Sequence, residues 1–175
     1  MVHIRKATPS DVPLILTLIR HLAEYEREPH SVIMTEEQLL RDGFGSERYY
    51  ECLIAESDGA PAAFALFFPV YSTWQGRSLH LEDLFVLPEF RKLGIAKALL
   101  RRVAAIAVER GCARLQWDVL EWNTLALDFY RSLGAATLDE WRIMRLSGAA
   151  LKALAAVEPG TRPGTRPGTK AGTKP

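Results

Sequence analysis

Apolar residues recur three and four positions apart in several stretches of the chain, and this spacing is typical of one face of an α-helix. Before the first stretch, Thr8 is followed by a proline and, three residues on, by Asp11, a combination that predicts a helix start. Gly111 and Gly134 follow two other stretches and predict their ends. Four helices are therefore predicted, at about residues 11–22, 35–43, 96–110 and 123–132.

Alternating or continuous apolar runs predict six β-strands, at residues 2–6, 51–56, 62–71, 78–87, 113–119 and 141–146. Asp58-Gly59 predicts a hairpin turn. In the fourth strand, strict alternation assigns one face to four apolar or aromatic residues, Leu79, Leu81, Phe85 and Leu87. Leu84 and Val86 lie on the other face, so the second half of this strand is expected to be buried on both sides. The order β-α-α-β-β-β-α-β-α-β indicates a mixed α/β sheet.

The composition restricts the classes of function. Apolar residues make up 48% of the 175 residues, enough for a core, and the net charge of +1 favours neither nucleic acid nor a membrane surface as partner. The two cysteines, Cys52 and Cys112, lack metal-ligand spacing and are interpreted as reduced thiols, so no metal site is expected. The N-terminus has no apolar signal segment and the longest apolar run, residues 62–71, is too short for a membrane span. A cytoplasmic protein is therefore expected.

The end of the chain differs in composition from the rest. From residue 158 the sequence reads EPGTRPGTRPGTKAGTKP, without large apolar side chains. Such a segment cannot bury a core, and it is predicted to be disordered. The chain is therefore divided into one domain at residues 1–157 and a low-complexity tail at residues 158–175.

The segment after the fourth strand has features that suit a phosphate group. It joins a buried strand to an amphipathic helix, and a helix start exposes unpaired N–H groups at the positive end of the helix dipole. Gly94 allows a tight turn and a close approach of the backbone to a ligand, and Arg91 and Lys92 add positive charge. The pattern R-x-x-G-x-A is weak when taken alone, and it is neither a Walker A loop nor a dinucleotide-binding fingerprint.

In its context, however, LEDLFVLPEFRKLGIAKALL resembles the acetyl-CoA motif of the GNAT N-acetyltransferases. The resemblance implies that Leu84, Phe85 and Val86 line the pantetheine arm, and that main-chain N–H groups near the latter two polarise the thioester carbonyl. It also implies that the loop holds the pyrophosphate of acetyl-CoA through six consecutive residues, Arg91, Lys92, Leu93, Gly94, Ile95 and Ala96. Lys92 is a mild departure, because many members have Gly there.

Acetyl transfer to an amine requires the removal of a proton. An alkylamine has a pKa of about 10.4, so roughly one molecule in a thousand is neutral at pH 7. Glu82 and Asp83 lie in the strand before the loop, and strand alternation places them on opposite faces. The stretch L-E-D-x-F-V is similar to the diamine acetyltransferases, and the resemblance implies that Glu82 contacts the amine and helps take its proton through water. Asp83 is interpreted as a structural or supporting acid.

The departing thiolate requires a proton donor, and a phenol is a neutral donor at pH 7. The segment NTLALDFYRSLG, which begins at Asn123, resembles the family pattern N-x-x-x-x-x-F-Y-x-x-x-G. In that pattern the Tyr lies beside the sulfur and the Asn contacts the cofactor. The resemblance therefore implies that Tyr130 is the acid and binds the cofactor together with Asn123.

Further stretches resemble the spermidine/spermine (diamine) and thialysine acetyltransferases, namely LAEYE, MTEEQLLRDGFG and EWN. The resemblance implies that Tyr25 and Glu26 help to line the amine site, with Glu82 and Asp118 completing an acidic lining that suits a cationic amine. The segment between Gly134 and Trp141 is shorter than expected for the polyamine enzymes. Whether Asp139 or Glu140 replaces the missing acidic contact stays open.

The resemblance implies a GNAT fold, with a twisted mixed sheet, helices on both faces and central strands that splay where the cofactor enters. It implies direct attack of a primary amine on acetyl-CoA in a ternary complex, and a homodimer. Short diamines, polyamines and thialysine-type amino acids remain open as acceptors. Two alternatives also stay open: transfer to another acceptor, such as a protein N-terminus or an aminoglycoside, and a catalytically silent CoA-binding module.

Overall fold

The computed structural model describes residues 1–156, which form two compact units, Met1–Leu127 and a second unit that begins at Asp128. The predicted tail at residues 158–175 lies outside the described residues. The strands are β1 (Val2–Lys6), β2 (Glu51–Ser57), β3 (Ala60–Ser72), β4 (Gly76–Val86) and β5 (Arg114–Gln116). The helices are α1 (Val12–Tyr25), α2 (Glu36–Phe44), α3 (Ile95–Glu109), α4 (Thr124–Ser132) and α5 (Gly148–Ala155). No helix in this part of the chain is long and apolar enough to cross a membrane.

The five strands form one mixed sheet in the order β1-β2-β3-β4-β5, which confirms the predicted mixed α/β fold. The first four strands are antiparallel, and α3 provides the crossover that brings β5 parallel to β4. β4 and β5 pair only from Ser78 to His80, opposite Arg114–Gln116. β4 then continues to Val86 without β5 beside it, so the sheet opens at the end of β4 that leads into the loop before α3.

The predicted start of the first helix is confirmed. The carboxylate of Asp11 accepts hydrogen bonds from the N–H and the hydroxyl of Thr8, at 2.7 and 2.8 Å. Arg5 on β1 donates to both oxygens of Asp11 at 2.8 Å and to Glu56 on β2 at 2.8 Å. The Arg5 guanidinium holds the pKa of Asp11 well below its ordinary value. This ion pair fixes the entry of α1 against the sheet, and a buried carboxylate is stable there because it is fully paired.

A β-bulge changes the faces of β4. Leu66 on β3 lies opposite Asp83, whereas the next residue, Phe67, lies opposite Leu81, so Glu82 is the extra residue. Residues before and after the bulge therefore face different sides. Phe85 belongs to the core formed with α1 and α2, and Leu81 lies outside that core. The prediction that Leu79, Leu81, Phe85 and Leu87 share one face is wrong, because strict alternation does not hold across a bulge.

Two predicted strands differ in the structure. Residues 113–119 form a strand of only three residues, β5, and residues 141–146 form no regular secondary structure. In the second segment Trp141, Ile143 and Met144 are exposed. Alternation indicates which residues share a face, but a strand also requires a hydrogen-bonded neighbour, and residues 1–156 provide none for this segment. The helix α5, which follows it, was not predicted.

Candidate active site

The loop between β4 and α3 has the geometry expected of a phosphate-binding turn. Gly94 caps α3 in the left-handed conformation, with φ 77°, and an added Cβ would meet no heavy atom within 4 Å. The Ala98 N–H donates to the Gly94 carbonyl, so the N–H groups of the preceding helical residues have no acceptor within the helix. Lys92 is also left-handed, with φ 65°, a conformation that Gly adopts without strain. The loop therefore offers open space and free backbone donors to an anion.

The side chain of Arg91 folds back onto the end of β4. Its Nε donates to the Val86 carbonyl at 3.1 Å, and its guanidinium lies 5.0 Å from the ring centre of Tyr25 and 5.7 Å from that of Phe85. Cation–π contacts of this length are attractive. The structure thus brings three residues predicted to bind the cofactor, Arg91, Phe85 and Val86, against a residue predicted to bind the substrate.

Tyr25 at the end of α1 also connects this loop to the start of α4. Its hydroxyl donates to the side-chain oxygen of Asn123 at 3.1 Å. The same oxygen accepts from the Ala126 N–H at 3.3 Å, which confirms that Asn123 caps α4. The Trp122 ring lies 6.0 Å from the Tyr25 ring, and the Arg27 guanidinium lies 4.8 Å from the Trp122 ring. The sequence assigned no role to Trp122 or Arg27, although the EWN match contains the tryptophan.

Three carboxyl groups, from Glu26, Glu82 and Asp83, form what is called here the acidic cluster. Burial raises the pKa of Asp83 to about 7, with smaller contributions from the charges of Glu82 and Glu26. Burial also raises the pKa of Glu26. The prediction that Glu82 and Asp83 point to opposite faces is wrong, because the bulge at Glu82 removes the alternation between them. The side chain of Glu82 is 54% exposed and can meet a ligand directly.

The remaining predicted residues have simpler surroundings. Leu84 and Val86 are half-buried on β4, and Ile95 is buried in the first turn of α3. Leu93 is exposed in the loop, and Ala96 is half-buried. Asp118 is exposed and lies two residues beyond the end of β5, so the sheet does not fix it beside the other acids.

Tyr130 belongs to the second unit and lies on α4, seven residues after Asn123. This spacing corresponds to about two helical turns, so both residues lie on the same side of the helix. The tyrosine is half-buried, and its ring lies 5.1 Å from that of Phe129. Asp139 and Glu140 are exposed in the segment that follows. The acid role of Tyr130 stays a prediction.

Residues 1–156 contain two free cysteines, of which Cys52 is buried and Cys112 is half-buried. Burial raises the pKa of the Cys52 thiol, which keeps it protonated and unreactive. No group of three His, Cys, Asp or Glu side chains in this part of the chain is arranged to hold a metal ion. The polar groups that converge are the acidic cluster, Tyr25 and the loop before α3.

Comparison with known proteins identifies the family of the chain. The acetyltransferase (GNAT) family model matches residues 15–135, and the chain belongs to that family. It is an N-acetyltransferase. Members of the family use acetyl-CoA, and the open loop before α3, with its free N–H groups, fits the diphosphate of that molecule.

Individual relatives cover most of the chain. The chain is 42% identical over 165 residues to the thialysine N-epsilon-acetyltransferase of Bos taurus, covering 88% of this chain and 97% of the relative. It is 35% identical over 162 residues to the spermidine/spermine N(1)-acetyltransferase-like protein 1 of Homo sapiens, covering 87% of this chain and 23% of that protein. The solved structure of the aminoglycoside N-acetyltransferase AAC(6')-Iy in complex with CoA has a TM-score of 0.67 at 22% identity, covering 85% of this chain and 95% of that one, which supports the fold.

Proposed function

We propose that this enzyme transfers the acetyl group of acetyl-CoA to a primary amine of a small cationic molecule, a thialysine-type amino acid or a short polyamine, by direct attack in a ternary complex. The observation that carries the proposal is the acidic cluster, in which Glu82 and Asp83 lie on the strand that leads into the phosphate-binding loop and Glu26 follows α1. A cationic amine is attracted to this cluster, and its nitrogen is thereby held near the end of β4, beside the loop. The names of the relatives support an amine of a small molecule as acceptor.

In the proposed complex the loop binds the diphosphate of acetyl-CoA and the end of β4 binds its pantetheine arm. The backbone N–H groups from Lys92 to Ala96 provide the donors, Arg91 adds positive charge, and Gly94 leaves room for the phosphate oxygens. Leu84, Phe85 and Val86 line the arm. Asn123 contacts the cofactor in this proposal, and its hydrogen bond to Tyr25 links the cofactor side of the site to the amine side.

Each charged group has a role in the acetyl transfer. Glu82, half-exposed at the bulge, contacts the ammonium group and takes its proton through water. Burial raises the pKa of Asp83 to about 7, so this carboxyl is only partly ionised near pH 7. Asp83 therefore limits the negative charge of the acidic cluster and has a supporting role beside Glu82. Glu26, Tyr25 and Asp118 line the path of the cationic acceptor. Tyr130 protonates the departing thiolate.

The proposal also covers the oligomeric state, the location in the cell and the partners of the enzyme. We propose a homodimer in the cytoplasm, with a small amine as partner and neither nucleic acid nor membrane. The support is the resemblance to the diamine acetyltransferases together with the near-neutral net charge of +1. Sedimentation at micromolar concentration tests the dimer, and a monomer throughout would contradict it.

The proposed acceptor class is tested by measuring CoA release from acetyl-CoA with thialysine, lysine, putrescine, spermidine, spermine and a short peptide. We expect turnover with thialysine or a polyamine and little with the peptide. Transfer to the peptide or to an aminoglycoside, with none to the small amines, would replace the acceptor class. Binding of acetyl-CoA without turnover of any acceptor would support a silent CoA-binding module.

The role of Glu82 is tested by the variant Glu82→Gln. If Glu82 takes the proton, kcat/KM falls by about 10²-fold near pH 7, and the loss shrinks as the pH approaches the pKa of the amine. The shrinkage follows because an amine that is already neutral needs no base. Glu37→Gln is the matched control, since it removes one negative charge at an exposed position on α2, outside the proposed site. A loss with Glu82→Gln that is equal at every pH would instead assign Glu82 to substrate placement.

A further inference from the structure

His80 lies on β4, two residues before Glu82, and the acetyl transfer proposed above assigns it no role. Its side chain is 15% exposed, and its ring stacks on that of Phe68 at 5.2 Å with an interplanar angle of 29°. β3 and β5 hold it from both sides, because His80 pairs with Phe68 on β3 and with Gln116 on β5. The imidazole is therefore fixed where β5 ends and the sheet opens.

The edge of this ring faces Glu82. His80 Nε2 lies 3.5 Å from Glu82 Oε2, which is an ion-pair distance. The two side chains share a face because they are two residues apart on the strand. Because of the bulge at Glu82, the next residue, Asp83, lies on the same face of the strand as Glu82.

The chemistry of the proposed reaction needs a better proton acceptor than a glutamate. An ordinary glutamate has a pKa of about 4.3 and an ordinary imidazole a pKa of about 6.5, so the imidazole holds a proton roughly a hundredfold more firmly. A base whose pKa lies near the working pH is the more efficient one. Glu82 is the group that reaches solvent and substrate, while His80 lies behind it.

We propose that His80 is a positioning residue that holds the Glu82 carboxylate toward the acceptor amine and takes from it the proton that the amine loses. The proposal rests on the proposed acetyl transfer. The N–H bond of the ammonium breaks, its electron pair stays on nitrogen, and the proton passes through Glu82 to Nε2 of a neutral imidazole. The nitrogen pair then attacks the thioester carbon and gives a tetrahedral adduct whose nitrogen carries one proton more than the amide. As the C–S bond breaks, Tyr130 protonates the leaving thiolate, and the nitrogen gives its extra proton to the resulting phenolate through water. The imidazolium afterwards releases its proton to water at its exposed edge.

The groups around His80 are acidic or uncharged. On β4 it faces Glu82, and Asp83 and Glu26 belong to the same acidic cluster. The neighbouring strands present uncharged partners, Phe68 on β3 and Gln116 on β5. Among these groups, Glu82 is the one that lies within ion-pair distance of the imidazole.

The experiment compares the pH profile of kcat/KM for the wild type, His80→Phe and His80→Gln with a small amine that the wild type acetylates. His80→Phe keeps the stack on Phe68, and His80→Gln keeps a polar contact with Glu82 without taking up a proton. We expect both variants to lose about tenfold in kcat/KM near pH 7 and to approach the wild type above pH 9. KM for acetyl-CoA should not change.

The chain offers a matched control in His3, whose Nδ1 lies 3.5 Å from Glu56 Oε2 on the far edge of the sheet. His3→Phe should leave the profile unchanged. A His80→Gln profile that overlays the wild type would overturn the relay, and a loss in His80→Phe that is equal at all pH values would reduce His80 to a packing residue. Loss of the neutral-pH limb in Asp83→Asn but not in the His80 variants would overturn the proposal in favour of Asp83.

A second measurement does not depend on turnover. The NMR signals of the His80 ring should shift in Glu82→Gln, because the carboxylate beside Nε2 is removed, and those of the His3 ring should stay the same. Unchanged His80 ring signals would overturn the coupling. A wild type that acetylates no amine contradicts the proposed function and the relay together, whereas an active wild type with unaltered His80 variants contradicts the relay alone.

Discussion

The raised pKa of Asp83 predicts how much this carboxyl changes the free energy of unfolding as the pH varies. Its carboxyl has a pKa of about 7 in the fold against an ordinary value of 3.8, because it is buried beside two other acids. A group whose pKa is raised on folding binds its proton more firmly in the folded state, so ionisation destabilises the fold. At about 1.4 kcal/mol per pKa unit, the full cost at pH 8 is about 4 kcal/mol relative to the protonated acid.

The difference between the folded and unfolded pKa of Asp83 also determines how the stability changes with pH. Below about pH 4 the carboxyl is protonated in both states and costs nothing. Between about pH 4 and pH 7 the unfolded chain ionises while the folded chain stays protonated, so the stability falls as the pH rises. Above about pH 7 both states are ionised and the cost is constant.

Asp83→Asn replaces the carboxyl with a neutral group of the same shape, so it removes this cost. We expect the free energy of unfolding of the variant to exceed that of the wild type by about 4 kcal/mol at pH 8, and the difference to vanish near pH 4. Urea titrations at several pH values measure it, and taking the difference cancels the other titrating groups. A constant difference for Asp83→Asn would refute the raised pKa and the burial on which it depends.

The other predictions concern the proposed acid, the loop and the core. Tyr130→Phe should lower kcat by about 10²-fold or more without changing the Kd of acetyl-CoA, and unchanged turnover would remove Tyr130 from the reaction. Gly94→Ala and Gly111→Ala should each cost about 1 kcal/mol in thermal melts, because φ is 77° and 66°, but only Gly94→Ala should weaken acetyl-CoA binding by calorimetry. Gly43→Ala should destabilise by at least about 2 kcal/mol in urea, because its Cβ would lie 2.4 Å from the Tyr50 ring, and wild-type stability would contradict this packing.

Much of the first unit could be predicted from residue patterns. Thr8 and Asp11 gave a helix start that the structure confirms, and Asn123 caps α4 as expected. The R-x-x-G-x-A pattern predicts a tight turn at Gly94, and in the structure Gly94 is the left-handed residue that precedes α3. These features are local, because a cap or a tight turn is determined by a few neighbouring residues.

Features that depend on residues far apart in the sequence could not be predicted from local residue patterns. The bulge at Glu82 arises from the pairing of β4 with β3, and alternation along one strand carries no signal of it. The contact of Tyr25 with Asn123 joins residues 98 positions apart. Residues 141–146 alternate like a strand yet have no strand partner in the described part of the chain. His80 lies next to the L-E-D motif, and only its strand position together with the bulge reveals its link to Glu82.

The central claim is that one acetyl group passes from acetyl-CoA to the nitrogen of a small amine. The most direct measurement follows acetyl-CoA labelled in the acetyl group, with thialysine or a polyamine, and quantifies the labelled products by mass spectrometry. The account predicts one N-acetylated amine for each CoA released, and no product with Glu82→Gln at neutral pH beyond a small fraction of the wild-type amount. Release of CoA with the label recovered as acetate, or label attached only to a protein N-terminus, would contradict it.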